Sequence, residues 1–206
     1  MPSAPVRAEA ERLRTAVSPP GGWDYLWYLG PGEIYRPART PDGAPAIRCD
    51  THGDVGIRRR AVDVALQPGV RLDWRWRVDR LPADLREDSL PSHDYLSIAV
   101  EFDEGQDLTY YWSAALPVGT VYRCPLPTWR DKETQVVVRS GATDLGRWLD
   151  ESRDLHEDYH RIIAGPARSV VRVWLIANSL FLRGRGQCEY AGIALRRAGG
   201  AVVKVL

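Results

Sequence analysis

Phenylalanine, lysine, methionine and cysteine are all scarce in this 206-residue chain, which has two Phe, two Lys (Lys132 and Lys204), one Met and three Cys. Cys49, Cys124 and Cys188 are odd in number and show no CxxC spacing, so neither a disulfide framework nor a thiolate zinc site is expected, and the three read as buried structural thiols. Cys124, followed by Pro125, has no nearby His to activate it as a nucleophile. Long apolar runs are missing too. Val173–Leu182 offers ten uncharged residues, where a membrane helix needs ~20, so no membrane association is expected. Residues 1–20 carry Arg7, Glu9, Glu11, Arg12 and Arg14 and lack the ~7–15-residue apolar core of a secretory leader, which points to a cytoplasmic protein. Charge of one sign is also absent: 28 Lys+Arg face 27 Asp+Glu, which excludes a polybasic arm, and no nucleic-acid partner is expected. The phosphate and nucleophile signatures GxxxxGK[ST], GxGxxG at a strand-to-helix turn and GxSxG do not occur, so no cofactor is expected.

What is plentiful is Trp (eight) and Tyr (nine), and 26 of the 28 basic residues are Arg. The Arg residues are scattered, and the bias alone carries no functional weight. Period-two alternation is clear in two places. Val70, Leu72, Trp74, Trp76 and Val78 alternate with Arg71, Asp73, Arg75, Arg77 and Asp79, and Leu96, Ile98, Val100 and Phe102 alternate with Tyr95, Ser97, Ala99, Glu101 and Asp103; both predict half-buried strands. Further strands are predicted at 55–65, 108–114, 133–139, 170–177, 187–196 and 201–206, separated by turn signals such as Pro68-Gly69, Glu104-Gly105 and Ser140-Gly141. Residues 5–17 predict a short N-terminal helix. Asp154–Ile163, opened by an acidic residue and closed by Gly165-Pro166, predicts a second helix after the middle strands. The expected fold is a mainly β, antiparallel sandwich in a single domain over 1–206, with 1–22 as its N-terminal helix and loop.

The motifs Leu72-Asp73-Trp74-Arg75-Trp76-Arg77-Val78-Asp79, Tyr111-Trp112 with Pro117-Val118-Gly119-Thr120-Val121, Val137-Val138-Arg139-Ser140-Gly141, Trp148 with Arg153-Asp154 and Asp158-Tyr159, and Tyr190-Ala191-Gly192-Ile193 follow one another in an order that resembles the DUF3047 family over residues 45–197. The resemblance implies a bacterial protein of uncharacterised function with a jelly-roll sandwich like that of carbohydrate-binding modules. Members usually look exported and tend to carry an Asp-rich stretch between the last two motif strands. Here that stretch is Ala177–Gly186, apolar and basic, so no metal or polar-ligand role carries over to it.

Several residues are candidates for chemistry. His156-Glu157-Asp158-Tyr159-His160 spells HExxH, in which His156 and His160 would bind zinc with Glu157 as base. The short helix, the absent downstream HxxGxxH and the lack of an evident third ligand favour a solvated polar helix face and no metal. If Trp74, Trp76, Leu96, Ile98, Val100 and Phe102 face the core, the opposite faces carry Arg75, Arg77, Ser97, Glu101, Tyr111, Arg139, Arg172 and Trp174, a platform of aromatics and guanidiniums around one carboxylate. The small Ser97 and Ala99 leave room for a ligand beside Glu101. The alternative is an exposed face with cross-strand Arg–Glu pairs. Trp23, Tyr25 and Trp27 either line a cavity mouth or plug one end of the sandwich. Leu180-Phe181-Leu182 reads as a lid, a homodimer contact or an inward-packed loop, and His93-Asp94 as a possible acid/base pair.

Two functions follow. The preferred one is a cofactor-free cyclase or isomerase that holds a flexible, largely apolar metabolite in an aromatic pocket, with Glu101, Arg75 and Tyr111 catalytic and Ser97, Ala99, Arg77, Arg139, Arg172, Trp174, Trp23 and Trp27 binding the small molecule. The alternative is a non-catalytic carbohydrate-binding module, and a zinc hydrolase comes third.

Overall fold

The computed structural model describes residues 22–29 and 34–206, with the side chains of residues 25–29 outside that description. The helix expected over residues 5–17 also lies outside the described residues. Among the described residues the strands are, in chain order, β1 (Asp24–Leu29), β2 (Tyr35–Arg39), β3 (Pro45–His52), β4 (Val55–Ala65), β5 (Arg71–Arg80), β6 (Tyr95–Phe102), β7 (Asp107–Ser113), β8 (Val121–Arg123), β9 (Glu133–Ser140), β10 (Leu149–Asp154), β11 (Ser169–Asn178), β12 (Arg185–Arg196) and β13 (Val202–Lys204), with one α-helix, α1 (Leu155–Ile162). They form a β-sandwich. One sheet has seven strands in the order β1-β4-β11-β6-β7-β9-β8; the other runs β10-β5-β12-β3-β2, with β13 beside β12.

The core lies between the sheets, where the alternating apolar residues meet. Trp74 and Trp76 of β5 point inward from the six-stranded sheet; Trp74 stacks on Tyr110 of β7 with centroids 5.8 Å apart, and Trp76 lies 5.7 Å from Trp112. Leu96, Ile98, Val100 and Phe102 of β6 fill the same layer from the opposite sheet. The helix packs through Tyr159, whose ring sits 4.5 Å from that of Phe102. Its N-terminus is capped by Asp154, which accepts the Glu157 amide at 2.9 Å, as the acidic residue at that place leads one to expect.

One pairing departs from the antiparallel expectation: β7 and β9 run parallel. Parallel neighbours need a long crossover, and residues 114–132 supply it. They leave the top of β7, lie across the outer face of the seven-stranded sheet, contribute the short edge strand β8 and return to start β9 beside the start of β7. That crossover shapes the candidate site.

Candidate functional site

Side chains on the outer face of the seven-stranded sheet form three cross-strand rows. The first is Ala61, Arg172, Glu101, Asp107, Glu133; the second Arg59, Trp174, Ala99, Thr109, Gln135; the third Ile57, Ile176, Ser97, Tyr111, Val137. The crossover covers much of them. Leu116, Tyr122 and Trp129 pack onto Ile57, Ala99, Tyr111, Val137, Trp174 and Ile176 as a second, smaller apolar cluster. Ser97 and Ala99 are buried, so the room expected beside them is filled by the protein itself. Tyr111 is also enclosed; its hydroxyl accepts a hydrogen bond from Tyr122 at 2.9 Å, and burial raises its pKa. It cannot polarise a ligand oxygen from there.

What the crossover leaves uncovered is an open groove of about 550 Å³, lined by Glu101 and Trp174 on the sheet, Arg59 on β4, Glu104 at the β6–β7 turn, and Trp129, Asp131 and Lys132 at the end of the crossover. Glu101 is braced on both oxygens: Arg172 Nη1 donates to Oε1 at 2.5 Å and Trp174 Nε1 to Oε2 at 3.0 Å. The Trp129 and Trp174 rings meet edge to face, 6.1 Å apart at 82°. Trp174 is only 6% exposed, whereas Trp129 is half-buried and presents the larger indole surface. Glu104 accepts the Tyr159 hydroxyl at 2.8 Å, which ties one wall to the helix.

Beneath the crossover lies a buried polar network. Glu133 Oε1 accepts from Gln135 at 2.6 Å and Tyr95 at 2.9 Å, and the single Thr109 hydroxyl proton is shared between Glu133 Oε1 at 3.2 Å and Asp107 Oδ1 at 3.0 Å. Burial raises the pKa of both carboxyl groups, and their adjacency on β7 and β9 raises that of Asp107 further. A His does lie near Cys124: His93 Nε2 is 3.4 Å from its Sγ, which corrects the reading of Cys124 as remote from any His. β6 and the crossover bring together two residues that the chain keeps apart. Even so, the pair is no nucleophile. His93 Nδ1 lies 2.6 Å from the Glu87 carbonyl, which places the proton on Nδ1 and leaves Nε2 to accept from the thiol. Burial lowers the His93 pKa to about 4 and raises that of Cys124, so both stay neutral near pH 7. Asp94 does not act with His93. It accepts the amides of Phe181 and Leu182 at 2.9 and 2.7 Å and so pins the apolar loop to the sandwich, with Phe181 edge-on to His93.

The expected platform divides. Glu101, Arg172 and Trp174 come together as read. Arg75 and Arg77 do not join them, because β5 belongs to the other sheet and its outward residues leave on the opposite side of the sandwich. There they lie under Trp148, at 5.5 and 5.8 Å, and pair with Asp150 and Asp79. Arg139, past an irregularity in the β7–β9 register, reaches Glu151 on β10 at 2.6 Å and ties the two sheets together. Trp23 is buried in the main core, as a plug would be, and the side chain of Trp27 lies outside the described residues. His156 and His160 stack with centroids 4.1 Å apart, and His160 Nδ1 bonds the His156 carbonyl at 2.8 Å. Among the described residues no group of three His, Cys, Asp or Glu is placed to hold a metal. No sequence signal marks Trp129, Asp131, Lys132, Arg59 or Glu104: four lie in or beside loops, where no period marks a face, and Arg59 is hidden in the run Arg58-Arg59-Arg60.

The family described as "Protein of unknown function (DUF3047)" matches residues 30–194. The chain belongs to the DUF3047 family. The match begins before β2, earlier than the motif resemblance at 45. No curated protein matches the chain. Among solved structures, this DUF3047 protein is similar to the xyloglucanase domain of a type three effector from Sinorhizobium fredii in complex with cellobiose, at 8% identity and a TM-score of 0.48, with 89% of this chain and 94% of that one covered. It is also similar to a family 11 carbohydrate-binding module of a cellulosomal cellulase from Clostridium thermocellum, at 7% identity and a TM-score of 0.40, covering 88% and 91%. No helix among the described residues is long and apolar enough to cross a membrane.

Proposed function

We propose that this DUF3047 protein is a non-catalytic saccharide-binding module and that the groove between Trp129 and Glu101 is its binding site. The observation that carries the reading is the pairing of a half-buried indole with a braced carboxylate in an open, charge-rimmed groove. A sugar ring offers an apolar C–H face and an equatorial belt of hydroxyls. An indole supports the first, and fixed planar acceptors and donors meet the second.

Two features favour binding over catalysis. A glycosidase works with two carboxyl groups flanking the bond to be cleaved. Here both oxygens of Glu101 are committed to Arg172 and Trp174, Glu104 accepts the Tyr159 hydroxyl, Asp131 stands exposed at the rim, and Asp107 and Glu133 lie sealed below the crossover. A cyclase fits less well, since an open groove edged by Glu104, Asp131, Lys132 and Arg59 suits a polar ligand better than a flexible apolar one.

Affinity electrophoresis tests the reading with gels containing hydroxyethyl cellulose, galactomannan, alginate or polygalacturonate. At least one should retard the protein, and Trp129→Ala should weaken that retardation by about tenfold, the scale of one lost aromatic stacking contact. Unretarded migration in all four gels would remove the proposal.

A further inference from the structure

The charges in the groove are unequally committed, and the imbalance names a ligand class. Glu101 is satisfied by Arg172 and Trp174, and Glu104 accepts Tyr159. Asp131 and Lys132 stand exposed at the rim, one of each sign and adjacent in sequence. Arg59 differs from all of these. It lies on β4 between Trp174 on β11 and Asp24 on β1 and is half-buried, and among the described residues its guanidinium has no hydrogen bond, ion pair or ring contact, with Asp24 included. The outward Arg side chains of the other sheet, by contrast, are mostly paired: Arg48 with Glu189, Arg77 with Asp79, Arg185 with Asp50 and Arg196 with Asp73.

A guanidinium that is partly desolvated and makes no ion pair is free to bind a carboxylate. Its planar fork matches a carboxylate bidentately, and beside a half-buried guanidinium that contact is less screened by salt than on an open surface. A neutral sugar would leave this donor set with water alone. We infer that the groove selects an acidic saccharide bearing uronate carboxylates, with Arg59 receiving the carboxylate while Trp129 supports the ring; the inference rests on the saccharide reading above. Arg59 is then the specificity-determining residue of the site.

Isothermal titration of the whole protein with polygalacturonate, dextran sulfate and hydroxyethyl cellulose separates the outcomes. Polygalacturonate should bind about tenfold or more tighter than hydroxyethyl cellulose, the scale of one charge-assisted contact. Arg59→Gln should bring that ratio close to one. Arg36→Gln, exposed on β2 of the other sheet, should leave it unchanged. If hydroxyethyl cellulose binds as tightly as polygalacturonate, the acidic preference is wrong while the saccharide reading stands. If none of the three binds and the electrophoresis panel is also negative, both fall. Dextran sulfate binding at least as well as polygalacturonate, with Arg59→Gln and Arg36→Gln equally harmful, would mean general polyanion attraction and would overturn the inference.

Discussion

Gly184 lies where the apolar loop crosses the segment after β5, and a methyl group there would sit 1.8 Å from the Pro82 carbonyl oxygen. Backbone cannot yield as a side-chain tip can. Gly184→Ala should therefore cost about 1–3 kcal/mol in chemical denaturation, the range for overpacking, and an unchanged midpoint would mean the loop shifts freely. The same loop was open in sequence to three readings, lid, dimer contact or inward packing. Asp94 narrows them, since its two oxygens hold the Phe181 and Leu182 amides. Side chains on alternating strands were the readable part of the site: Glu101, Arg172 and Trp174 share a face because their strands are neighbours. Which outward faces belong to the same sheet was not readable, because alternation gives a side and never a partner. Alternation therefore puts Arg75 and Arg77 with Glu101, although β5 carries them on the far side of the molecule.

Among the elements, the long alternating strands were legible almost to their ends: β4 runs Val55–Ala65 as expected, and β6 spans Tyr95–Phe102. β10 was not, because Leu149-Asp150-Glu151-Ser152-Arg153-Asp154 is an edge strand with one apolar residue, and pairing with β5 rather than burial makes it a strand. The family motif residues around the helix hold the fold. Asp158 is buried and accepts from Tyr110 at 3.0 Å, from Arg153 at 2.7 and 2.8 Å, and from Arg161 at 2.9 Å. Asp158→Ala should cost about 2–3 kcal/mol, with Tyr110 left unpaired in the core and Arg153 losing its bidentate partner. Loss of less than about 0.5 kcal/mol would show the network to be incidental. This role also accounts for the HExxH spelling: Asp158 and Tyr159 bind the helix to the sandwich, while the two histidines lie on its outer side, half-buried and exposed.

For the molecule as a whole, we expect a loss of stability in mild acid through His93. Its pKa falls from 6.5 to about 4 on folding because the ring is desolvated. Between those values the unfolded chain holds the extra proton, so the contribution is complete above pH 6.5 and is lost as pH falls toward 4, by up to about 3 kcal/mol. Asp107 and Glu133, whose pKa values are raised, act with the opposite sign: their folded forms keep protons, and stability falls as pH rises through those values. Comparison with a variant isolates the histidine. The stability advantage of the wild type over His93→Gln should shrink by about 3 kcal/mol from pH 7 to pH 4, and a constant difference would contradict a neutral buried imidazole.

The groove itself is tested most directly by the indole N–H signals in a nitrogen–proton correlation spectrum, assigned with Trp129→Phe and Trp174→Phe and recorded with and without polygalacturonate and hydroxyethyl cellulose. A saccharide-binding groove requires the Trp129 signal, and with it that of Trp174, to move on addition of at least one polysaccharide while the core signals of Trp74 and Trp76 stay in place. Shifts confined to Trp148 on the opposite sheet, or none with either polysaccharide, would contradict it.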